Sequence, residues 1–357
     1  TPAGILLDNF GARKLLTIGA LVCAFGCWWF ANSSSLSVAI TARILMGGGL
    51  AFVFLSSVQL ASRWFSKRYF SMMIGFSEAS GMFGAIVGNM LLAIFINNIG
   101  WREAFMLAST FALLLSVLSF LFVRDYPNKD EVPARSRLTV AKVLVSLKIL
   151  TRMPLIWLHS IYISLMYISV TVFSGLWANP FLRRAFFMNL EQATLACCLV
   201  LAGIGMGSPI AGAICDTNKA RNICIQISAL VMLVLMCIIL YVPDLSVPVI
   251  NLLMFALGLS GSGIILSFAI VSDLAPEGAK STSVGLTNSI SMITAVLFQP
   301  VIGWILNLLS NEYNSKGLEY YSAEHYRMAL SVLPALLFCA FVMGVIIART
   351  NQKKLSS

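Results

Sequence analysis

Residues 4–13, GILLDNFGAR, and residues 212–221, GAICDTNKAR, decide the fold of this 357-residue chain. Both stretches follow the pattern Gly-x3-Asp-x4-Arg, and each lies between two long apolar stretches. Ion pairs are costly to place at the mouth of a membrane helix hairpin, so finding one spacing of charges twice indicates an internal duplication. We therefore expect a membrane protein built from two homologous halves.

The composition is that of a membrane protein. The chain is 59% hydrophobic and 11% charged, with a mean hydropathy of +0.89, whereas soluble domains are about 45–50% apolar and about 25% charged. A bilayer core of about 30 Å needs roughly 20 apolar residues of helix. We predict an all-α protein with ten membrane helices, at residues 15–31, 36–62, 70–97, 101–123, 153–178, 190–214, 222–242, 246–271, 281–309 and 328–348.

The net charge of +10 does not indicate a nucleic-acid partner, because the basic residues follow the topology. If the loop with Arg13 is cytoplasmic, alternating loops assign 18 of the 24 Lys and Arg residues to the cytoplasm and five to the far side. Arg43 stays inside a span. This is a strong positive-inside asymmetry, and it predicts a multi-pass protein of the cell membrane with a cytoplasmic C-terminus.

The apolar pattern stops between Arg124 and Arg152, where two prolines and seven basic residues occur. We predict a cytoplasmic linker at residues 125–152, between an N-terminal helical bundle at residues 1–124 and a C-terminal bundle at residues 153–357. Four spans precede the linker and six follow it. Because the chain starts without Met, and its first residues read as the last turns of a span, we expect the first helix and most of the second to be missing.

A second alignment tests the duplication independently. Residues 71–75 align with residues 281–285 at an offset of 210. Eleven residues advance a helix by about three turns, so polar residues spaced by eleven share one face. The alignment pairs such residues of the two halves, Glu78 with Asn288 and Asn89 with Gln299.

At these residues the chain resembles the major facilitator superfamily, whose loop between the second and third helices carries the signature G-x3-D-x2-G-x-R-[KR]. The first stretch matches every position of the signature, with Gly4, Asp8, Gly11, Arg13 and Lys14. The second stretch keeps three of them, Gly212, Asp216 and Arg221. It departs from the signature by having Lys219 in place of the middle glycine.

Three shorter pieces also resemble the family, namely Arg43-x3-Gly47-x-Gly49 in its fourth helix, Arg63-Trp64-Phe65 after it and Gly100-Trp101-Arg102 before its sixth. The resemblance implies two six-helix bundles related by a parallel repeat and a monomeric secondary transporter that works by alternating access. The last two pieces resemble branches that carry organic anions, sugar phosphates or short peptides. The fifth helix lacks the Gly-Pro pair of many drug antiporters, so drug efflux is the less favoured alternative.

The two charge motifs have a functional and a topological interpretation. In the first, Asp8 and Arg13 form a cytoplasmic latch that holds the two halves together and releases them as the cavity opens inward. In the second, Arg13 and Lys14 only retain the loop in the cytoplasm. The two interpretations are compatible.

Two charged residues inside spans are candidates for the transport pathway. An Arg near mid-membrane costs a few kcal/mol, so Arg43 must face protein or water, where its planar fork suits a carboxylate or phosphate. Glu78 is the only acid well inside a span, and it is a candidate for proton coupling or for binding a substrate amine. Structural pairing of each residue with neighbouring helices is the alternative.

The remaining pathway candidates are polar residues on helix faces. His159 and Tyr162 begin a mixed polar and aromatic stripe on the seventh helix of the complete fold, which usually lines the cavity in this family. His159 could relay protons, although a lone His near a helix end is commonly interfacial. Asn89, Asn288 and Gln299 could line the pathway or form ordinary interhelical hydrogen bonds.

Small and sulfur-containing residues are expected to serve packing. Glycines in two spans predict close helix contacts, at Gly81, Gly84 and Gly88 and at Gly258, Gly261 and Gly263. The eight cysteines fall mostly inside spans without metal-ligand spacing, so we expect apolar filler, no metal site and no cofactor.

The sequence favours a transporter of a small organic solute, coupled to protons, in a bacterial inner membrane. A receptor or sensor that kept the fold without transporting is the alternative from another class, although only about nine polar residues follow the last span. A membrane-embedded enzyme would need clustered catalytic side chains, which His159 and His325 do not supply.

Overall fold

The structure is a computed structural model, and it describes residues 2–126, 140–215, 218–276, 279–309 and 321–356. Within these ranges the chain is helical and has no β-strand. Ten segments are long and apolar enough to cross a membrane, so the prediction of an all-α membrane protein with ten spans is confirmed. They are Ala12–Ala31, Leu36–Trp64, Tyr69–Gly88, Trp101–Phe122, Pro154–Ala185, Leu190–Ile214, Ala220–Tyr241, Val247–Leu274, Lys280–Leu309 and Ala323–Thr350.

The individual helices divide some of these spans. Those before residue 152 are α1 (Pro2–Phe10), α2 (Ala12–Ala31), α3 (Leu36–Leu50), α4 (Val53–Trp64), α5 (Lys67–Ile99), α6 (Trp101–Phe122) and α7 (Val140–Thr151). Those after it are α8 (Pro154–Ile168), a π-helix (Ser169–Trp177), α9 (Ala178–Ala185), α10 (Leu190–Ile214), α11 (Asn218–Tyr241), α12 (Val247–Gly261), α13 (Gly263–Leu274), α14 (Lys280–Leu309), α15 (Ala323–Leu330) and α16 (Val332–Ser356).

Two glycines with positive φ separate consecutive helices. Gly11 (φ +84°) lies between α1 and α2, and Gly100 (φ +91°) lies between α5 and α6. Side chains with a Cβ rarely adopt this conformation, so each glycine permits a helix to end and the next to begin within one residue. These two positions explain why the motif loop and the turn before α6 are so short.

The chain folds into two compact units. The first unit consists of residues 1–70, 84–152 and 272–286, and the second consists of residues 71–83, 153–271 and 287–357. Each unit thus contains a short piece from the other sequence half, because α5 and α14 each contribute to both units. The predicted division into residues 1–124, 125–152 and 153–357 stays a prediction, and residues 127–139 of its linker lie outside the described residues.

The first unit is built around α2, which packs against α6 and α3. A buried cluster of Cys27, Ala31 and Phe105 fills the space between these helices. Gly19 and Gly49 face each other where α2 crosses α3, and a Cβ on Gly19 would lie 2.6 Å from the Gly49 carbonyl oxygen. Backbone contact of this kind is the usual way in which membrane helices associate.

In the second unit α10 packs against α12, and α8 and α11 pack against α16. Gly258 contacts the Val200 carbonyl so closely that no side chain would fit, and a Cβ on Gly263 would contact the Ser228 hydroxyl. The prediction of close contacts is thus confirmed at these two glycines. It is wrong for Gly81, Gly84 and Gly88 on α5, because an added Cβ at these positions would meet no described atom within 4 Å.

Candidate functional site

The first charge motif packs against the start of α14. Gly4 is buried, and a Cβ on it would meet the Ser281 backbone, with the Cα of Thr282 2.9 Å away. A glycine is therefore required where α1 crosses α14. This backbone contact brings the first motif against a helix that comes from the other end of the sequence.

Asp8 lies one helical turn after Gly4 and caps α14. Its carboxylate accepts hydrogen bonds from the backbone N–H of Ser281 (3.1 Å) and Thr282 (2.9 Å) and from the Thr282 hydroxyl (2.5 Å). The first N–H groups of a helix have no intrahelical acceptor, and the helix dipole favours a negative charge there. The Asp8 carboxylate thus satisfies two orphan donors and places its charge at the favourable helix end.

A buried glutamine joins the same contact. The Gln59 side-chain amide donates to the Leu7 carbonyl oxygen and to the Ser281 hydroxyl, both at 3.0 Å. Asp8 precedes the first membrane span, and burial raises the pKa of its carboxyl above the ordinary value, while the bonds from Thr282 and Ser281 lower it in part. The donors of Ser281 and Thr282 therefore depend on the Asp8 carboxylate, since a buried polar group that loses its hydrogen bond is costly.

Arg13 contacts the end of α6, in its own sequence half. Its guanidinium donates two hydrogen bonds to the Phe120 carbonyl oxygen (2.9 and 2.7 Å) and lies over the Phe120 ring. Its backbone N–H donates to Asp125 (2.9 Å), whose carboxylate caps α2 next to Gly11. Lys14 is exposed. Arg13 therefore caps the C-terminal end of α6, which lies in the same sequence half, and Asp8 alone of the two makes the contact to α14.

The second motif repeats the glycine contact of the first. A Cβ on Gly212 would lie 2.5 Å from the carbonyl oxygen of Ser71, on α5. Ser71 aligns with Ser281, so Gly4 and Gly212 contact corresponding residues of the two repeats. Asp216 lies outside the described residues. Arg221 is buried and donates from Nε to the carbonyl oxygen of the preceding helix end, at Cys215 (3.3 Å).

The expectation that the cysteines are apolar filler is wrong for two of them. Cys215 and Cys224 form a disulfide that joins the end of α10 to α11. The other six cysteines are free. No spacing pattern indicated this pair, because its members are nine positions apart along the chain and Cys215 lies within the second motif.

Arg43 lies in the first unit, and its guanidinium lies over two adjacent aromatic rings. The guanidinium carbon is 4.5 Å from the centre of the Phe30 ring and 5.1 Å from that of Phe105. The side chain is exposed, and no carboxylate pairs with it among the described residues. The rings stabilise the charge through cation–π interactions, while the hydrogen-bonding N–H groups are left for another partner.

Glu78 belongs to the piece of α5 in the second unit. The carboxyl is partly buried, and the described residues provide it with no hydrogen bond. Gly75, one turn before it, contacts the Ser208 carbonyl without room for a Cβ. Asn89 lies eleven residues further along the same helix, but its side chain lies outside the described ones.

The predicted stripe on the seventh helix is buried inside the second unit. His159 is fully buried, and its Nδ1 lies 3.2 Å from the Ser267 hydroxyl, while its Nε2 has no hydrogen-bond partner within the described part of the chain. Tyr162 donates its hydroxyl proton to the Ile225 carbonyl oxygen (2.9 Å). The structure thus places these two side chains in helix packing, against α13 and α11.

Serine and threonine side chains join α8 to α14. The hydroxyls of Ser160 and Thr287 are 2.9 Å apart, and one turn later the Ser164 hydroxyl donates to that of Ser291 (3.4 Å). Asn288, next to Thr287, is partly buried. These hydroxyl pairs define the contact between the two helices, and no hydropathy pattern distinguishes them from other small residues.

The π-helix ends in a contact that holds the second half of α14. The Trp177 indole N–H donates to the Gln299 carbonyl oxygen (3.2 Å) and its ring covers Gly303. The Gln299 side chain is partly buried. The π-helix itself was not predicted, and such segments are frequent at functional sites.

The candidate residues are therefore divided between the two units. Arg43 and the first motif belong to the first unit, and Glu78, His159 and the described residues of the second motif belong to the second. Sequence reasoning missed the partners Ser281, Thr282 and Asp125. A carboxylate just after α6 and a Ser-Thr pair at the start of α14 are capping signals, but capping across 273 residues, as for Asp8 and Ser281, leaves no local pattern.

Curated proteins with similar sequences are membrane transporters. The chain is 23% identical over 342 residues to the probable galactarate/D-glucarate transporter GudP of Bacillus subtilis strain 168, which covers 86% of this chain and 73% of that protein. It is 25% identical over 334 residues to monocarboxylate transporter 2 of Mus musculus, which covers 87% of this chain and 67% of that protein.

Solved structures show the same fold. The fucose:proton symporter FucP of E. coli superposes with a TM-score of 0.69 at 13% identity, over 97% of this chain and 86% of that one. The human organic anion transporter MFSD10 also gives a TM-score of 0.69, at 15% identity, over 96% of this chain and 79% of that one.

A sequence model of the whole family agrees with these similarities. It is described as the Major Facilitator Superfamily, and it matches residues 1–299. The predicted transporter fold is thereby confirmed, as is the prediction that the protein is not an enzyme. This chain, with ten membrane spans among its described residues and a duplicated Gly-x3-Asp-x4-Arg motif, belongs to the Major Facilitator Superfamily of secondary transporters.

Proposed function

We propose that this transporter moves a small organic anion by alternating access and couples the movement to protons. The geometry of Arg43 is the observation that supports an anionic substrate. Its guanidinium is stabilised by two aromatic rings, and among the described residues it has no acidic partner. A planar fork with free N–H groups suits a carboxylate, which it can bind through two parallel hydrogen bonds.

The names of two relatives support the same class of substrate. GudP is named for galactarate and D-glucarate, which are sugar dicarboxylates, and the mouse relative is named for monocarboxylates. Sugar phosphates and short peptides are the other solutes that the sequence suggested. All of these carry an anionic group, so the comparison of several anions with neutral solutes decides the class.

Uptake into proteoliposomes by the purified full-length protein tests the substrate. The panel contains galactarate, lactate, a hexose phosphate, a dipeptide and a neutral hexose. Arg43→Gln should lower anion uptake by at least about tenfold, because a hydrogen bond to a charged group contributes about 1.5–3 kcal/mol. Arg43→Lys should recover only part of the uptake, since an ammonium has no planar fork.

A matched arginine provides the control. Arg102 also lies in the first unit and over an aromatic ring, that of Trp101, but it donates to the Ser33 carbonyl oxygen (3.3 Å). Arg102→Gln should therefore leave anion uptake within about twofold of the parent protein, as is usual for surface substitutions. Equal losses in the Arg43 and Arg102 variants, or uptake of neutral hexose alone, would contradict the proposal.

Glu78 is the proposed site of proton coupling. It lies in a membrane span, and no described residue neutralises it through a hydrogen bond. Glu78→Gln should abolish accumulation driven by a pH gradient while counterflow of labelled substrate continues, because the amide cannot exchange a proton. Glu103→Gln, in the first turn of α6, is the control. Proton-driven accumulation that survives Glu78→Gln would refute this assignment.

The first charge motif is the proposed latch. Asp8 would hold the start of α14 in one state of the transport cycle and release it in the other, and Arg13 would keep α6 in place beside it. Three hydrogen bonds and a backbone contact at Gly4 support this role. Hydrogen exchange of the amides at the start of α14 measures the strength of this contact.

The topology completes the proposal. We propose that the C-terminus lies in the cytoplasm, because the predicted cytoplasmic loops carry the excess of basic residues, and that the protein is a monomer of two six-helix halves in a bacterial inner membrane. Labelling of a cysteine introduced after residue 350 with a membrane-impermeant maleimide, in intact and in opened cells, tests the orientation. Labelling of this cysteine in intact cells would show that the C-terminus lies outside the cytoplasm and would refute the proposed orientation.

A further inference from the structure

Arg63 lies at one end of a membrane span in the first unit. It belongs to the last turn of α4, and the span Leu36–Trp64 ends at the next residue. Its guanidinium carbon lies 4.4 Å from the centre of the Tyr126 ring, and its buried Nη1 atom has no hydrogen-bond partner within the described part of the chain. None of the residues assigned to transport explains this arginine.

No acidic residue pairs with Arg63 among the described residues. Asp125 precedes Tyr126 in the chain, but its carboxylate accepts a hydrogen bond from the Arg13 backbone N–H (2.9 Å) and lies against Gly11. An unpaired buried N–H of a charged group is costly, and in native proteins such an atom commonly marks a bound water or ion. The position of Arg63 therefore suits an anion that comes from outside the chain.

The Tyr126 ring leaves the hydrogen-bonding groups of Arg63 available. A cation–π contact stabilises the charge through the face of the ring and uses none of the guanidinium N–H groups. The Arg63 side chain is half-buried, so a phosphate can approach it from outside the protein. The planar fork of the guanidinium matches two phosphate oxygens, which accept two parallel hydrogen bonds.

Exposed aromatic side chains surround the end of α4. Trp64 and Phe65 are exposed, as is Tyr69, where the next span begins. The Trp64 indole N–H donates to the Arg124 carbonyl oxygen (3.0 Å), just after α6, so the ends of two spans meet here. Trp and Tyr are enriched at the membrane–water interface. We therefore expect Arg63 to lie at the depth of the lipid phosphates.

We propose that Arg63, held by the Tyr126 ring, forms a binding site for the phosphodiester of an anionic phospholipid. A lipid is the occupant because the exposed rings of Trp64 and Phe65 follow Arg63 directly and offer apolar contact to acyl chains, which a soluble phosphate lacks. A zwitterionic headgroup binds less well, because its ammonium group is repelled by Arg63 and by the exposed Arg124.

A built site and a diffuse surface charge predict different results. Any Lys or Arg close to an anionic membrane contributes about fivefold in affinity, whatever its neighbours are. Loss of hydrogen bonds between a guanidinium and a phosphate lowers the affinity by at least about tenfold. Lysine in place of Arg63 preserves the diffuse contribution in full, but it lacks the planar fork that the site requires.

The test measures lipid binding to the purified full-length protein in detergent by native mass spectrometry. The protein is titrated with phosphatidylglycerol or with phosphatidylcholine of the same acyl chains, and the tightest site should prefer phosphatidylglycerol by at least about tenfold. Arg63→Gln should remove this preference, and Arg63→Lys should recover only part of it. Tyr126→Leu should lower the affinity for phosphatidylglycerol about two- to fivefold, because the guanidinium loses the ring.

Two other arginines provide the controls. Arg102 also lies over an aromatic ring, that of Trp101, but donates to the Ser33 carbonyl oxygen, so Arg102→Gln should leave the lipid preference unchanged. Arg124→Gln removes an exposed charge beside the site and should lower the affinity by at most about fivefold. Equal losses in the Arg63 and Arg102 variants would overturn the proposal.

Three further outcomes would also overturn it. The first is equal affinity of the parent protein for the two lipids, and the second is full recovery of the preference in Arg63→Lys, which keeps the charge and disturbs folding least. The third is displacement of phosphatidylglycerol by excess glycerol 3-phosphate, which would identify a site for soluble phosphates. Lipid binding is measured without transport, so its result is independent of the proposed substrate.

Discussion

Thr282→Val removes the shortest of the hydrogen bonds that join Asp8 to α14 and changes the shape of the side chain very little. The hydroxyl donates to the Asp8 carboxylate at 2.5 Å, and Thr282 is buried. A hydrogen bond to a charged group contributes about 1.5–3 kcal/mol, so its loss should weaken the contact about 10- to 150-fold. The backbone bonds from Ser281 and Thr282 remain in this variant, which keeps the loss partial.

Hydrogen–deuterium exchange at the start of α14 measures this loss directly. The amides of Ser281 and Thr282 belong to the first turn of a helix that begins at Lys280, so they have no intrahelical acceptor and depend on Asp8 for protection. In Thr282→Val their exchange should be about 10- to 150-fold faster than in the parent protein. In Asp8→Asn, which removes the charge of the carboxylate, exchange of these amides should be at least as fast as in Thr282→Val.

Thr282→Ser is the matched control, because it keeps the hydroxyl and should exchange like the parent protein. Amides in the middle of α12 should exchange equally in all variants, which shows that the fold is intact. If the first-turn amides of α14 stay equally protected in Thr282→Val and Asp8→Asn, the carboxylate does not hold this helix and the latch has no physical basis.

Three further tests address the packing of the second unit and its repeat. Gly212→Ala should lower stability by about 1–3 kcal/mol, because its Cβ would meet the backbone of α5. Gly84→Ala is the control, and it should leave the thermal midpoint unchanged or raise it, because the added Cβ meets open space. Equal thermal midpoints for the two variants would refute the contact between Gly212 and Ser71. Tyr162→Phe should cost about 0.5–1.5 kcal/mol in detergent unfolding, since the carbonyl oxygen on α11 loses its hydroxyl partner. A double-mutant cycle of Ser160→Ala and Thr287→Ala should give a coupling of about 0.6 kcal/mol, and a coupling of zero would show that the two hydroxyls are only neighbours.

Hydropathy predicted the membrane spans well and their internal structure poorly. All ten predicted spans overlap the ten of the structure, because the cost of placing polar backbone and side chains in lipid acts on any apolar stretch of sufficient length. The predicted span 153–178 is nevertheless a helix followed by the π-helix Ser169–Trp177 and then α9, and the span 36–62 is divided between α3 and α4. Apolar length alone does not distinguish one helix type from another, so these details required the packed structure.

For the duplicated motif, too, the sequence predicted the repeat, whereas the packed structure decided the contacts. Its two copies and the offset of 210 identified the repeat from sequence, and the contacts of Gly4 and Gly212 with corresponding serines agree with it. The partners of the charges could not be predicted. Arg13 donates to the Phe120 carbonyl oxygen near the end of α6, where backbone carbonyl groups lack an intrahelical donor.

The sequence by itself determined the membrane environment, the number of spans, the repeat and the family, because these follow from composition and spacing along the chain. Tertiary structure decided which groups meet: Asp8 with the first turn of α14, and Arg43 with two aromatic rings. Hydrogen bonds and ring contacts act over a few ångströms between residues that are far apart in the chain. Only the packing of the helices brings such residues within that range.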